Sequence, residues 1–297
     1  MQRQEITTFI EARVTADGLT ETGIPGVRLF RATTAIPCAP AVYEPCIIAI
    51  VSGTKEAVLD GERYVYDNSR YMCCPLSMPV KAGTPAASPE NPLFGVYIAL
   101  DQRVMTELVM EMETVGAATQ PTGNSSTVQG IKIAKWDDVF SDSLLRLLNL
   151  MDSEADRTVL AGARLRELYF AVLKGEAGSF ARQAFGVGNA IARSISQMSS
   201  DLNAPVSIDE LARRAGMSRA AFHRKFKQAT TMSPIQFLKS MRLNSAAMKI
   251  AGGTPVNQAS LEAGYVSSSQ FSREFKRMYG QSPRRWSGVQ PLAAGLS

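Results

Sequence analysis

One stretch, from Ile208 to Pro283, carries the same short pattern twice, and this repetition constrains the fold more than anything else in the chain. The first copy reads GMSRAAFHRKFK (216–227) and the second GYVSSSQFSREFK (264–276). Phe222, Arg224, Phe226 and Lys227 recur 49 residues later as Phe271, Arg273, Phe275 and Lys276, and Ser233-Pro234 recurs as Ser282-Pro283 at the same offset. Upstream the offset is 48: Ile208 matches Val256, and Ala215-Gly216 matches Ala263-Gly264. The second copy therefore has one extra residue just after its glycine, as two helices joined by a slightly longer turn would have. A repeat of this kind states the architecture of its region before any propensity argument does.

Each copy reads as helix, turn, helix. In the first, Ile208, Leu211, Ala212 and Ala215 share one helical face. Ser207 with Glu210 has the spacing of a capping box. Gly216 suits a left-handed turn, and Ser218 caps a second helix whose Phe222 and Phe226 lie on one side. Ala220, Arg224 and Lys227 then point away from that side, flanked by Arg219 and His223. In the second copy, Phe271 and Phe275 face inward from the helix after Ser267. Ser269, Arg273 and Lys276 face outward, with Ser268 and Gln270 beside them. A helix that is apolar behind and rich in Arg, Lys, Gln and Ser in front suits a DNA major groove, where cations meet phosphates and forked donors read base edges. Residues 233–253 between the copies read as one spacer helix, capped by Ser233, with Pro234 at its first position and Gly252-Gly253 at its end.

Charge separates the same two halves. Residues 1–185 hold 17 Lys+Arg against 22 Asp+Glu, a net −5; residues 186–297 hold 15 against 5, a net +10. The basic half is the half with the repeat, which is the electrostatic footprint of a nucleic-acid binder.

Residues from about 190 to 286 resemble the DNA-binding domain of the AraC/XylS family of bacterial transcription regulators. The run GY-x-S-x-S-x-F-S-R-x-F-K with its trailing G-x-S-P, Gly264 to Pro283, carries the resemblance. It implies two helix-turn-helix units on a linker helix, each placing its second helix in successive major grooves of promoter DNA, and RNA polymerase as a further partner. Carried over by position, the readers are Arg219, Ala220, His223 and Arg224 in the first unit, and Ser268, Ser269, Gln270 and Arg273 in the second. Ala220 is smaller than the residue often found there, which points to weaker base reading by the first unit. Arg224 and Arg273 also fit a salt bridge or a phosphate clamp.

Before residue 185 the pattern changes. Residues 1–22 read as a helix and a loop. Short strands follow at 27–36, 46–53, 57–60, 62–66, 78–82 and 93–100, with Asp60-Gly61 as a hairpin turn and a Pro-rich loop over 83–92. Strands at this spacing suggest a small sandwich or barrel. ETGIPGVRLFRATT (21–34), VYEP (42–45) and ASPENP (87–92) resemble the N-terminal effector domain of one AraC-type subfamily, which implies a cupin-like β-barrel followed by helices. Helices are expected over 103–112, 141–153 (capped by Ser141 or Asp142) and 155–175, with a loop over 116–130, a linker over 175–188 and a helix from about 189 to 202. Leu144, Leu145, Leu147, Leu148 and Leu150 either pack on the barrel or form a homodimer interface.

The expected fold is therefore α+β. A cupin-like barrel (about 22–100) and flanking helices (about 101–175) form an effector-binding and dimerisation domain over 1–185, followed by an all-α domain over 186–297 with two helix-turn-helix units on a linker helix. A small organic effector is expected in the barrel, lined by Tyr43, Glu44, Tyr64, Tyr66 or Tyr71, although these tyrosines also suit strand cores. No cofactor is expected. The single histidine, His223, lies in the other domain, so the barrel has no His-based metal site. Cys38, Cys46, Cys73 and Cys74 lack paired C-x-x-C spacing. Cys73 and Cys74 point to opposite faces of a strand, and one of them facing inward is a candidate oxidant or electrophile sensor; small buried hydrophobes are the plainer reading. No run of about 18 apolar residues and no secretory core is present, which leads to a cytoplasmic expectation. No nucleophile elbow, P-loop or zinc-protease motif supports an enzyme. The chain reads as an effector-controlled regulator, and the resemblance implies an activator, the commoner kind in that family; the alternatives are a thiol-based sensor of the same fold and a constitutive DNA binder.

Overall fold

The computed structural model describes residues 2–115, 130–186 and 189–286. The chain opens with helix α1 (Gln2–Glu11) and nine strands: β1 (Gly18–Glu21), β2 (Val27–Ala32), β3 (Ile36–Tyr43), β4 (Cys46–Ser52), β5 (Thr54–Leu59), β6 (Glu62–Asp67), β7 (Arg70–Cys74), β8 (Met78–Thr84) and β9 (Leu93–Ala99). Next come α2 (Gln102–Thr114), β10 (Lys132–Lys135), α3 (Asp138–Leu148), a 3-10 turn (Asn149–Asp152), α4 (Glu154–Lys174) and α5 (Gly178–Phe185). The remaining helices are α6 (Ala190–Ser200), α7 (Ile208–Arg214), α8 (Arg219–Thr230), α9 (Pro234–Ala251), α10 (Val256–Glu262), α11 (Ser268–Tyr279) and α12 (Pro283–Trp286). The architecture is a sheet-rich N-terminal region and a helical C-terminal one, as the sequence implies.

The strands do not close into a barrel. They form two antiparallel sheets, one ordered β1-β2-β9-β4-β7-β10 and the other β3-β8-β5-β6. The large sheet is covered on both faces, by the small sheet and by helices, so β4 is apolar along CIIAIV rather than alternating. Tyr71 lies on the helix-covered face, stacked on Phe140 of α3 with ring centroids 4.3 Å apart. The β5–β6 hairpin turns at Asp60-Gly61 as expected, both residues having positive φ (50° and 85°).

Three local expectations change. β1, β3 and the four-residue β10, which pairs with β7, were not legible. α3 starts earlier, at Asp138, because Asp137 rather than Ser141 or Asp142 accepts the capping bond, from the Phe140 amide. The expected linker folds into α5, leaving 187–188 outside the described residues, as most of the 116–130 loop also is. Of the two readings of the α3 leucines, packing on the fold holds: Leu144, Leu147 and Leu148 are fully buried.

In the C-terminal region every expected cap forms. Ser207, Ser218, Ser233 and Ser267 each accept from the backbone amide three residues on. Only Ser233 with Gln236 completes a capping box; the Glu210 carboxylate turns instead to Arg214, 2.7 Å away. Gly264 has φ +78°, and a Cβ there would lie 2.5 Å from the Leu202 carbonyl, so no other residue fits this turn. Phe222, Phe226, Phe271 and Phe275 are fully buried, as their spacing requires.

Helix α9 is more than a spacer, because it docks on the small sheet. Asn244, 2% exposed, donates from Nδ2 to the carbonyls of Ala41 (2.8 Å) and Val80 (2.9 Å), and its Oδ1 accepts from the Tyr279 hydroxyl at 2.6 Å. The Val42 amide meets Met248 Sδ at 3.3 Å. Strand β3, at the edge of its sheet, is thereby tied to the helix that carries both helix-turn-helix units.

Candidate nucleic-acid interface and effector pocket

The second helix of each unit, α8 or α11, buries its phenylalanines and turns its polar side to solvent. Arg219, Ala220, Arg224 and Lys227 on α8 are exposed, as are Ser268, Ser269, Gln270, Arg273 and Lys276 on α11. Arg219 lies 3.3 Å from Asp209, an exposed pair worth little in water and easily exchanged for a phosphate. Among the described residues no carboxylate pairs with Arg224 or Arg273, so the salt-bridge alternative finds no partner there. His223 is half-buried and its Nε2 has no hydrogen-bond partner, which sets it apart from the open readers. Lys239 and Tyr265 both bond to Glu274, at 2.9 Å each, and fix α11 on α9. The result is two packed helices: α8 exposes Arg219, Arg224, Lys225 and Lys227, and α11 exposes Arg273, Lys276 and Arg277 beside Ser268, Ser269 and Gln270.

Between the two sheets lies a second cluster. Strand pairing sets Lys55 directly opposite Tyr66, and both side chains point between the sheets, with Tyr43 beside them. Each of the three is 1% exposed. The hydroxyls of Tyr43 and Tyr66 lie near each other, yet neither makes a hydrogen bond of normal geometry. Burial lowers the Lys55 ammonium to about 8, and no carboxylate acts on it; its electrostatic neighbours are Cys38 and Cys46. Its Nζ stands 5.8 Å from the centre of the Phe30 ring. Burial raises both phenols far above their ordinary value, so they are neutral donors. An ammonium and two phenol hydroxyls, buried together without hydrogen-bond partners of normal geometry, form an unsatisfied polar cluster in the core.

The other expected pocket residues lie apart from this cluster. Glu44 is exposed, bonded to Ser77, and lines a cleft of about 460 Å³ shared with Leu76, Gln102, Phe185 and Ser199. Tyr64 is engaged with Glu62, and Tyr71 faces α3. Cys73 and Cys74 do point to opposite faces, but both are fully buried, with burial raising Cys73 to about 12 and Cys74 further. Thiols so placed are poor nucleophiles. Lys55 was missed because the run TKEAVL sets two charged residues side by side, and sequence does not tell which of Lys55 and Glu56 faces inward. Glu56 is the outward one, held by Arg63 at 2.9 Å.

A duplicated, cation-bearing helix-turn-helix on one side and a sheet sandwich on the other are the parts of a DNA-binding regulator. The chain belongs to the AraC-type transcriptional regulators: residues 23–180 match the family's N-terminus, and residues 211–288 match a helix-turn-helix domain. It is 24% identical to the transcriptional regulator ArgR of Pseudomonas aeruginosa, over 82% of each chain. It is 42% identical over 80 residues to an uncharacterized HTH-type transcriptional regulator of Haemophilus influenzae and 35% over 82 residues to MtrA of Neisseria gonorrhoeae, in each case 27% of both chains. The chain thus spans about a quarter to a third of the length of the first curated relatives it matches. Its fold is similar to that of ToxT from Vibrio cholerae, at 12% identity, with a TM-score of 0.58 over 92% of this chain and 99% of the other. No helix among the described residues is long and apolar enough to cross a membrane.

Proposed function

We propose that this regulator activates transcription when a small organic molecule with an anionic or carbonyl-rich head enters the socket at Lys55, Tyr43 and Tyr66. The carrying observation is the buried trio of donors without acceptors. An oxyanion there restores the lost hydrogen bonds and neutralises a buried ammonium. ToxT, similar in fold, has been solved with an unsaturated fatty acid and with a naphthalenyl-butenoic acid, both carboxylic acids. The signal passes through β3, which carries Tyr43 and is held by Asn244 of α9. Arg219, Ala220, Arg224 and Lys227 then engage one major groove, and Ser268, Ser269, Gln270, Arg273 and Lys276 the next. The protein acts in the cytoplasm as a homodimer and recruits RNA polymerase from the promoter; it has no catalytic role. The exposed apolar residues Val159 and Phe170 of α4 and Met110 of α2 are the dimer surface that replaces the buried α3 leucines.

The test is a binding screen on the full chain with straight-chain carboxylates of graded length and their matching primary alcohols, read by thermal shift. Carboxylates that stabilise the wild type but not Lys55→Met or Tyr66→Phe support the reading. A ligand whose binding ignores Lys55, Tyr43 and Tyr66 places the effector elsewhere. A second reading rests on Cys46 and Cys74, which stand directly opposite each other across β4 and β7. An oxidant that takes two electrons from this pair would join the two sulfurs in a disulfide and release two protons; DNA binding that changes with oxidation in the wild type but not in Cys74→Ser favours it.

A further inference from the structure

The extra residue of the second unit has a definite place in the fold. In the first unit the Gly216 amide bonds to the Arg213 carbonyl and the Met217 amide to the Ala212 carbonyl; in the second, the Gly264 amide bonds to Leu261 and the Tyr265 amide to Ser260. The turns therefore correspond residue by residue through Met217 and Tyr265. Both side chains fold back onto their own unit: Met217 is half-buried against the core, and the Tyr265 ring meets Phe271 at 5.2 Å. In the first unit the next residue is the cap, Ser218. In the second unit Val266 intervenes before the cap, Ser267. Val266 is the inserted residue, and at 99% it is the most exposed of the large apolar side chains among the described residues.

Its position gives that exposure a use. Val266 stands at the N-terminal entry of α11, two residues before Ser268, and the N-terminal residues of a second helix are those that meet base edges in this kind of motif. A valine there contributes nothing to the folded core, and its methyl groups find one apolar feature on the base edges of the major groove, the C5-methyl of thymine. We infer that Val266 is a specificity-determining residue that reads a thymine through methyl–methyl contact at one position of the DNA half-site held by α11. The one-residue insertion is what extends this side chain toward the DNA, so the second unit gains a reader with no counterpart in the first.

The experiment selects binding sites from random duplex DNA with the full-length wild type and with Val266→Ser, a surface change expected to leave the melting curve unchanged. The wild type should enrich a thymine at one position beside the bases read by Ser268 and Ser269, and Val266→Ser should lose that preference alone. Uracil in place of that thymine removes only the methyl group. It should weaken wild-type binding about fourfold, the scale of one buried methyl group, and leave Val266→Ser unchanged. An unaltered base preference in the variant overturns the inference. So does a uniform loss on all sequences, which marks a sugar–phosphate contact, and so does intact DNA binding with failed transcription, which marks a contact to polymerase.

Discussion

Replacing Lys55 by Met should make the unliganded protein more stable, which is the reverse of what most core substitutions do. The side chain is 1% exposed, and burial lowers its ammonium from 10.5 to about 8. A shift of that size corresponds to a cost on the order of 3 kcal/mol for holding the ammonium inside, present in full below pH 8. Between about pH 8 and 10.5 the unfolded chain binds a proton here that the folded chain does not, so the stability contributed by this site rises with pH across that window. Methionine has a similar length and carries no charge, so Lys55→Met should gain about 1–3 kcal/mol at pH 7, and the gain should vanish by about pH 10.5. Urea unfolding of both proteins at a series of pH values measures it. A variant that is less stable at pH 7, or a difference that does not change with pH, would refute the placement of an unpaired ammonium between the sheets. The same substitution should abolish the response to a carboxylate effector, so that stability and function move in opposite directions.

Three further outcomes follow from the packing. Asn244→Ala removes three buried hydrogen bonds and should weaken the docking of α9 on β3 by about 2–4 kcal/mol; exchange of the Val42 amide, whose partner is Met248, should speed up, and unchanged protection would sever the proposed route. Tyr279→Phe removes only the bond inside the DNA-binding region and should leave Val42 protected. Phe271, fully buried among Tyr265 and Phe275, should cost about 3–5 kcal/mol as Ala, and a melting curve that does not move would contradict its burial.

The two regions differed in how much of them the sequence disclosed. The C-terminal units were legible because each turn depends on a glycine, each helix on a serine cap, and each core on phenylalanines four apart, and the repeat states all of these twice. Most of the N-terminal strands were legible as strands, β1, β3 and β10 excepted, but their facing was not. Tyr66 and Tyr71 look alike in sequence, yet one points between the sheets and the other stacks on Phe140. Period-two alternation identifies two faces without saying which is covered, and here the large sheet is covered on both. The split of the strands into two open sheets rather than a closed barrel, and the docking of α9, depend on pairings between residues far apart in the chain, such as Asn244 with Ala41, for which no local pattern exists.

If α8 and α11 read adjacent major grooves, footprinting of the purified full-length protein on the DNA flanking its own gene should show two protected segments per subunit, one helical turn apart on one face of the duplex. Arg224→Ala should weaken one segment, and Arg273→Ala should weaken the other by about 1–3 kcal/mol on specific but not random DNA. A single protected segment that both substitutions weaken equally, on any sequence, would contradict it.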